Sequence, residues 1–304
     1  MMPILAIEWG TARLRARLIE DQSVRATEEE EVRLADLDRA SIAKRIATLA
    51  DQWPDGARGG ILLSGMIGSA LGWTEVARIP CPASASAIAR GAWRDRIAGH
   101  PVNILPGLFC RTRFGDPDVL RGEEIAAVGA LGRIGRDAAT LVCVPGMHGK
   151  WLRLADGCIT DFHSAMTVEL HRAIAHGTIL SPLMRDAPDG GSAAFARGVT
   201  LGAAGGGLAR LLFSARAAVQ ADILDAADAS AYLWGVLIGA DIREGIDRNA
   251  GSCLVTGAPA VAPLFVGALR MHGIAATLLD DDALTAAGFA MLAAQLSAPA
   301  EQRG

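Results

Sequence analysis

Five short stretches of this chain set chemically capable residues beside glycine or at a helix start. Glu8-Trp9-Gly10-Thr11-Ala12 puts a carboxylate at the end of an apolar run, just before a glycine turn. Exposed N–H groups of such a turn can cradle phosphate oxygens, and a carboxylate there can hold a hydrated Mg²⁺. Pro145-Gly146-Met147-His148-Gly149-Lys150 is a second turn of this kind, with a lysine able to meet phosphate as a point charge. Its spacing is not that of a P-loop. Arg121-Gly122-Glu123-Glu124 precedes an apolar helix. Either acid can act as general base toward a hydroxyl, and Arg121 can grip a carboxylate through two parallel bonds. Met166-Thr167-Val168-Glu169-Leu170-His171 places Glu169 and His171 at a helix start that Thr167 can cap. Thr256-Gly257-Ala258-Pro259 is a turn whose backbone can pass close to an adenine ring or ribose. Each stretch has a plain structural reading as well: a hairpin acid, a first turn facing the helix dipole, a cap, a connection.

The elements that must position these residues follow from pattern. Ile4 to Glu8 reads as a buried strand, Leu14 to Glu20 as a second, and Val24 to about Leu34 as a half-exposed third. Ile42, Ile46 and Leu49 fall at helical spacing and stop at Trp53-Pro54-Asp55-Gly56. Gly60 to Leu63 is a strand running into the Gly-rich Ser64-Gly65-Met66-Ile67-Gly68-Ser69, and Val102 to Leu105 is another. The second half begins similarly: a strand at Thr140 to Val144, a glycine turn, Trp151 to Leu154, the turn Asp156-Gly157, then Cys158 to Phe162. Gly198 to Gly245 reads as helical with a break at Gly205-Gly206-Gly207, followed by strand, helix, strand and helix from Ser252 to Leu296. The pattern is α/β, with a weak internal repeat of strand, glycine turn and strand.

The 304 residues suffice for two cores, since single cores stop growing at roughly 250–300 residues. With 51% hydrophobic and 20% charged residues the chain reads as globular, and a net charge of −4 without a basic block argues against nucleic acid. The five cysteines are scattered without a C-x-x-C pair, which predicts free thiols rather than a disulfide framework or zinc site. No run reaches the ~20 charge-free apolar residues of a membrane span, and no signal-peptide pattern opens the chain. A cytoplasmic location is expected.

Taken together, the segments resemble the 2-dehydro-3-deoxygalactonokinase (2-oxo-3-deoxygalactonate kinase) family. The resemblance rests on Trp9-Gly10-Thr11 with Leu14-Arg15-Ala16, Gly65-Met66-Ile67-Gly68-Ser69 with Gly72-Trp73, Pro106-Gly107-Leu108 and Arg121-Gly122-Glu123-Glu124. It continues through Pro145-Gly146, His148, Lys150-Trp151, Met166-Thr167, Glu169-Leu170 and Leu237-Ile238-Gly239-Ala240, and so covers almost the whole chain. It implies an α/β fold of two RNase-H-like, actin-like ATPase domains, expected over 1–120 and 121–304, with an active-site cleft between them. The implied reaction is ATP- and Mg²⁺-dependent phosphorylation of the terminal hydroxyl of 2-dehydro-3-deoxy-D-galactonate in galactonate breakdown. Glu123 or Glu124 would be the base and Glu8 the metal carboxylate. Gly10, Thr11, Gly146, His148, Gly149 and Lys150 would hold phosphates, with Thr256-Gly257 at the adenosine. Ser64, Gly65, Met66, Gly68, Ser69, Trp73, Arg121 and Glu169 would line the sugar-acid pocket. The partner is a small-molecule sugar acid, with no nucleic acid and no membrane; whether the chain pairs as a homodimer is open.

This chain departs from the family pattern at Glu8 (Asp in the pattern), Ala12, Met147, Gly149 and Val168. Ala12, Met147 and Gly149 remove hydroxyls from the two presumed phosphate turns, each worth ~1.5–3 kcal/mol if it met a charged group. A kinase of another sugar or sugar acid, and a weakened binding protein of the same fold, therefore stand as alternatives.

Overall fold

The computed structural model describes residues 2–134, 140–184, 190–246 and 251–297. By contact the chain forms two compact units, Met1–Ala139 with Leu152–Phe162 and Asp280–Gly304, and Thr140–Trp151 with His163–Leu279.

The first unit opens on a meander of Ile4–Trp9 (β1), Arg13–Glu20 (β2) and Ser23–Glu31 (β3), paired antiparallel in chain order. Asp21 and Gln22 take φ of 48° and 61°, the left-handed pair that matches the twist of a hairpin. β1 is apolar at nearly every position because both its faces are covered, whereas the edge strand β3 is mostly exposed and Glu-rich. Arg39–Gln52 (α1) starts at Asp38, whose side chain accepts the Ser41 N–H at 2.8 Å. It ends before Trp53-Pro54, and one more helical turn, Pro54–Ala57 (α2), leads to Ile61–Gly65 (β4), parallel to β1.

Short elements follow: Ile79–Pro80 (β5), Ala83–Ser84 (β6), Ala85–Arg90 (α3), Trp93–Ile97 (β7), His100–Ile104 (β8), Leu108–Arg111 (β9) and Pro117–Leu120 (β10). β8 lies parallel to β4, so the sheet runs β3-β2-β1-β4-β8-β7. Ile42 and Ile46 of α1 pack with Leu5, Ile7, Leu63 and Ile104 of this sheet. Glu124–Leu131 (α4) then carries the paired-acid segment.

The second sheet repeats the plan with Thr140–Val144 (β11), Gly149–Ala155 (β12) and Cys158–Ala165 (β13), the last two joined by Asp156-Gly157 at φ 53° and 70°. Four helices follow: Thr167–Gly177 (α5), Ala193–Ala204 (α6), Leu208–Gln220 (α7) and Ala229–Gly245 (α8). Ser252–Val255 (β14), Ala262–Met271 (α9) and Ala275–Leu278 (β15) come next, with β11, β14 and β15 mutually parallel. The strand order β13-β12-β11-β14-β15 matches β3-β2-β1-β4-β8, so the repeat expected from the sequence is a repeated topology. Trp151, Cys143, Val255, Phe265 and Ile242 share its core.

The final helix, Asp281–Ser297 (α10), belongs to the first unit, where it packs on α4. The two backbones meet at glycine. A β-carbon on Gly129 would lie 2.0 Å from the Leu284 carbonyl, and one on Gly288 2.0 Å from that of Ile125. Contact thus assigns both α4 and α10 to the first unit, a different division from the expected boundary at residue 120. The break at Gly205-Gly206-Gly207 falls where expected, between α6 and α7. The small strands β5, β9 and β10 were not anticipated; each is too short to show a period.

These packings predict opposite outcomes for two helix glycines. Gly129→Ala should lower the free energy of unfolding in urea by about 2 kcal/mol or more, because the methyl meets backbone that must move. Gly267→Ala in α9, where a β-carbon would meet nothing within 4 Å, should raise it by up to ~1 kcal/mol.

Candidate active site

In the first unit, the carboxyl ends of β1 and β4 meet the turn before α4. Glu8 pairs in register with Ser64, and Trp9 with Gly65. Gly65 has φ 82°, and a β-carbon there would come 2.6 Å from the Trp9 carbonyl, so the chain passes this close only as glycine. Gly122 lies alongside, its would-be β-carbon 3.7 Å from the Gly65 Cα.

Around this junction, buried polar atoms stand without partners. Glu124 is wholly buried; its Oε2 accepts the Gly122 N–H at 2.6 Å, while Oε1 has none. Burial, helped by the neighbouring Glu123 charge, pushes its carboxyl up to about 8 against the pull of Gly122 N–H and Arg121. Arg121 donates Nη2–H to the Val76 carbonyl at 2.8 Å, leaving Nε and Nη1 buried and unpaired. Burial lowers its pKa, and Nη1 lies 2.8 Å from where a β-carbon on Gly68 would sit. Ser64 Oγ is also buried and unpaired. Buried polar groups are normally bonded, so a guanidinium, a carboxyl and a hydroxyl left open together point to a polar ligand.

Other expected pocket residues are partly engaged already. Ser69 donates its hydroxyl to the Met66 carbonyl at 2.7 Å, a bond within the turn. Trp73 has the Arg39 guanidinium 4.7 Å over its ring. Met66 packs on the apolar core.

Glu8 stands at the end of β1 before Gly10 and Thr11, both exposed. Its Oε2 accepts from Arg17 Nη1, and the fully buried Arg17 also donates Nε–H and Nη2–H to Asp282 Oδ1 at 3.0 and 2.7 Å. Burial raises the Glu8 carboxyl above its usual range, with Arg17 opposing. Among the described residues, no three Cys, His, Asp or Glu side chains gather as a metal site. One carboxylate suits Mg²⁺, whose remaining ligands are water and phosphate, so Glu8 fits that ion as a single ligand.

In the second unit, the turn after β11 is laced to the turn after β14. Thr256 N–H donates to the Cys143 carbonyl and Ala258 N–H to that of Pro145, both at 3.0 Å. Gly257 has φ 106°, and a β-carbon there would come 2.7 Å from the Pro145 carbonyl. Gly146, His148, Gly149 and Lys150 are thereby gathered beside Thr256 and Gly257. No packing forces glycine at 146 or 149, where a β-carbon would meet nothing closer than 3.7 Å. Gly146 is half-exposed, whereas Gly149 is buried as the first residue of β12; exposed turn N–H groups are what an incoming phosphate would use. His148 Nε2 lies 2.6 Å from Glu169 Oε2 on the surface, so Glu169 joins this turn. Lys150 is buried, its Nζ donating to the His148 carbonyl at 2.9 Å.

Thr167 does not cap α5. Its hydroxyl donates to Asp241 Oδ2 instead, because that buried carboxylate is in reach. Two cavities lie among the second unit's helices. One of about 570 Å³ is lined by Thr200, Arg243 and His272, none of them an expected site residue. The other, about 440 Å³, is lined in part by Thr167 and Asp241. The sequence reading missed Arg17 and Asp282, and also Asp241. Asp241 did carry a signal, as an acid in the otherwise apolar run of α8.

A profile of the family described as 2-keto-3-deoxy-galactonokinase matches residues 8–292. A probable 2-dehydro-3-deoxygalactonokinase of Rhizobium meliloti is 36% identical over 299 residues, 95% of each chain. The 2-dehydro-3-deoxygalactonokinase of Escherichia coli is 28% identical over 295 residues, 95% of this chain and 97% of its own. A crystal structure of a Sinorhizobium meliloti protein of similar description superposes with a TM-score of 0.88 at 32% identity, covering 97% of this chain and all of that one.

Burial of Glu124 makes a stability prediction. A carboxyl at about 8 in the fold and near 4.5 when unfolded means folding favours the protonated form, so stability falls as pH rises between these values. Glu124→Gln, which cannot ionise, should melt above the wild type at pH 8–9, and the difference should shrink toward pH 5. A gap independent of pH would show that the carboxyl does not titrate this way.

Proposed function

Since the chain belongs to the 2-keto-3-deoxy-galactonokinase family, we propose that it transfers the γ-phosphoryl group of ATP to the terminal 6-hydroxyl of 2-dehydro-3-deoxy-D-galactonate, in galactonate breakdown. The observation that carries the reading is the buried Ser64 and Glu124 with the half-buried Arg121, each with buried atoms whose bonding positions are open.

A sugar acid supplies what each of the three lacks. Its carboxylate takes the free N–H groups of Arg121, a charge-assisted contact favoured by burial. A carbonyl or hydroxyl oxygen meets Ser64 Oγ. The hydroxyl to be phosphorylated faces Glu124, which accepts its proton as the oxygen attacks phosphorus. A carboxyl near 8 is a stronger base than an ordinary one, at the cost of being mostly protonated at neutral pH. Glu124 is thus the better placed of the two acids for this part. It is wholly buried as the first residue of α4, while Glu123, the residue before it, is half-buried.

The nucleotide falls to the second unit. Backbone N–H groups of residues 146–149 and the charge of Lys150 meet its phosphates, and the Thr256-Gly257 turn meets its nucleoside. In the first unit, the exposed Gly10-Thr11 turn is of the kind that meets phosphate oxygens. Mg²⁺, with Glu8 as its protein carboxylate, would offset the charge on the phosphates. The hydroxyl-poor sequence at Ala12, Met147 and Gly149 favours a second reading, a kinase whose nucleotide affinity is reduced.

The test is substrate-dependent ADP release with ATP, Mg²⁺ and 2-dehydro-3-deoxy-D-galactonate; no release above background would defeat the proposal. Glu124→Ala should lower turnover by ~10²–10⁴-fold and Glu123→Ala far less. Arg121→Ala should raise the KM for the sugar acid more than it lowers turnover. The wild-type rate should climb with pH toward about 8, as the Glu124 carboxyl ionises. A rate already flat from pH 6 to 8 would remove Glu124 as the base.

A further inference from the structure

Beneath the second-unit turn lies a buried carboxylate that the proposed reaction does not use. Asp241 sits in α8, 7% exposed, among Leu237, Ile238 and Ile242. Its Oδ1 accepts the Trp151 Nε1–H at 2.7 Å and its Oδ2 accepts the Thr167 hydroxyl. These donors stand at two consequential places. Trp151 directly follows Lys150 on β12, and Thr167 is the first residue of α5, two before Glu169.

The contacts close a ring. From Asp241 it runs through Trp151 to Lys150, whose Nζ holds the His148 carbonyl. The His148 imidazole meets Glu169, and Thr167 returns to Asp241. The indole of Trp151 has little freedom within it. A β-carbon on Gly245, one turn along α8, would lie 2.2 Å from that ring, and His163 stacks on it at 6.4 Å and 11°. An apolar residue at 241 could fill the volume, but it could not fix β12 and α5 in register together. Burying a carboxylate is costly unless its bonds are made.

We propose that Asp241 is a positioning residue for the nucleotide turn: by accepting from Trp151 and Thr167 at once, it fixes the place of Lys150 and of the His148–Glu169 pair. The inference rests on the reading of residues 146–150 as the phosphate turn. It assigns Asp241 no contact with substrate.

The test uses the full-length chain with ATP, Mg²⁺ and the sugar acid, measuring both KM values in Asp241→Leu, Asp241→Asn, Thr167→Val and Lys150→Ala. Asp241→Leu is expected to raise the KM for ATP tenfold or more and leave that for the sugar acid within twofold. Asp241→Asn should recover most of the loss, since an amide can accept from Trp151 and donate to Thr167. The Trp151 indole N–H resonance, assigned with Trp151→Phe, should move upfield in Asp241→Leu and return in Asp241→Asn. Should Asp241→Leu not fold, Thr167→Val, which removes one of the two bonds, takes its place with an expected rise of threefold or more. A folded variant that melts lower but keeps its KM for ATP, or one in which both KM values rise together, overturns the inference. Lys150→Ala separates the two levels. If it raises the KM for ATP while the Asp241 and Thr167 variants do not, the positioning role alone fails. If it leaves that KM unchanged, the reading of the turn fails and the inference with it.

Discussion

The first unit is organised by a contact between backbones. Where α4 crosses α10, the Leu284 carbonyl occupies the position a β-carbon on Gly129 would need, and the Ile125 carbonyl does the same at Gly288. Helices that meet at this distance have little room to slide, because any larger side chain would drive them apart. Both open on residues of the site. The first residue of α4 is Glu124, and near the start of α10 Asp282 holds the guanidinium of Arg17, which holds Glu8. The helix pair therefore acts as a strut between Glu8 at the end of β1 and Glu124 at the start of α4. Side chains a sequence reader would rank as plain core set the geometry of residues with chemical roles.

Electrostatics work against the fold at this place. Three polar side chains around Gly65 and Gly68 hold buried atoms with bonds unmade, and Glu124 carries the consequence as a carboxyl pushed up to about 8. Arg17 and Asp241 differ from these: Arg17 is bonded on both sides, and Asp241 accepts two hydrogen bonds. The contrast is local.

Much of this was legible in the sequence because it rests on short-range signals. The strands at 4–8 and 140–144, the α6–α7 break at Gly205-Gly206-Gly207 and the stop at Trp53-Pro54 are read from period and turn residues, and all appear in the structure. The nearness of Ser64 to Glu8, and of Thr256 to Pro145, was implied by the family resemblance and not by the spacing itself. What stayed hidden depends on partners distant in sequence. Asp282 bonds Arg17 across 265 positions and Asp241 bonds Trp151 across 90. No local pattern marks Arg17 as buried, since an arginine on an alternating strand reads as exposed. The capping role expected of Thr167 failed for the same reason. Its preference for a helix start was correct, but a carboxylate from α8 offered the stronger bond.

The hydroxyl-poor turns acquire a different meaning on this structure. A turn with serine or threonine can adjust to a phosphate by rotating a side chain, whereas backbone N–H groups point wherever the chain is held. If residues 146–149 meet phosphate as proposed, then with Ala12, Met147 and Gly149 in these places their contribution would depend on how firmly their backbone is set. The chain entering the turn is tied at the Cys143 and Pro145 carbonyls to Thr256 and Ala258, and the turn is followed by Lys150 and Trp151, both buried. Each bond to a charged oxygen contributes ~1.5–3 kcal/mol only if donor and acceptor align. On that proposal a rigid floor would substitute for adaptable side chains: it would not restore the number of donors, but it would lower the ordering cost of using those that remain.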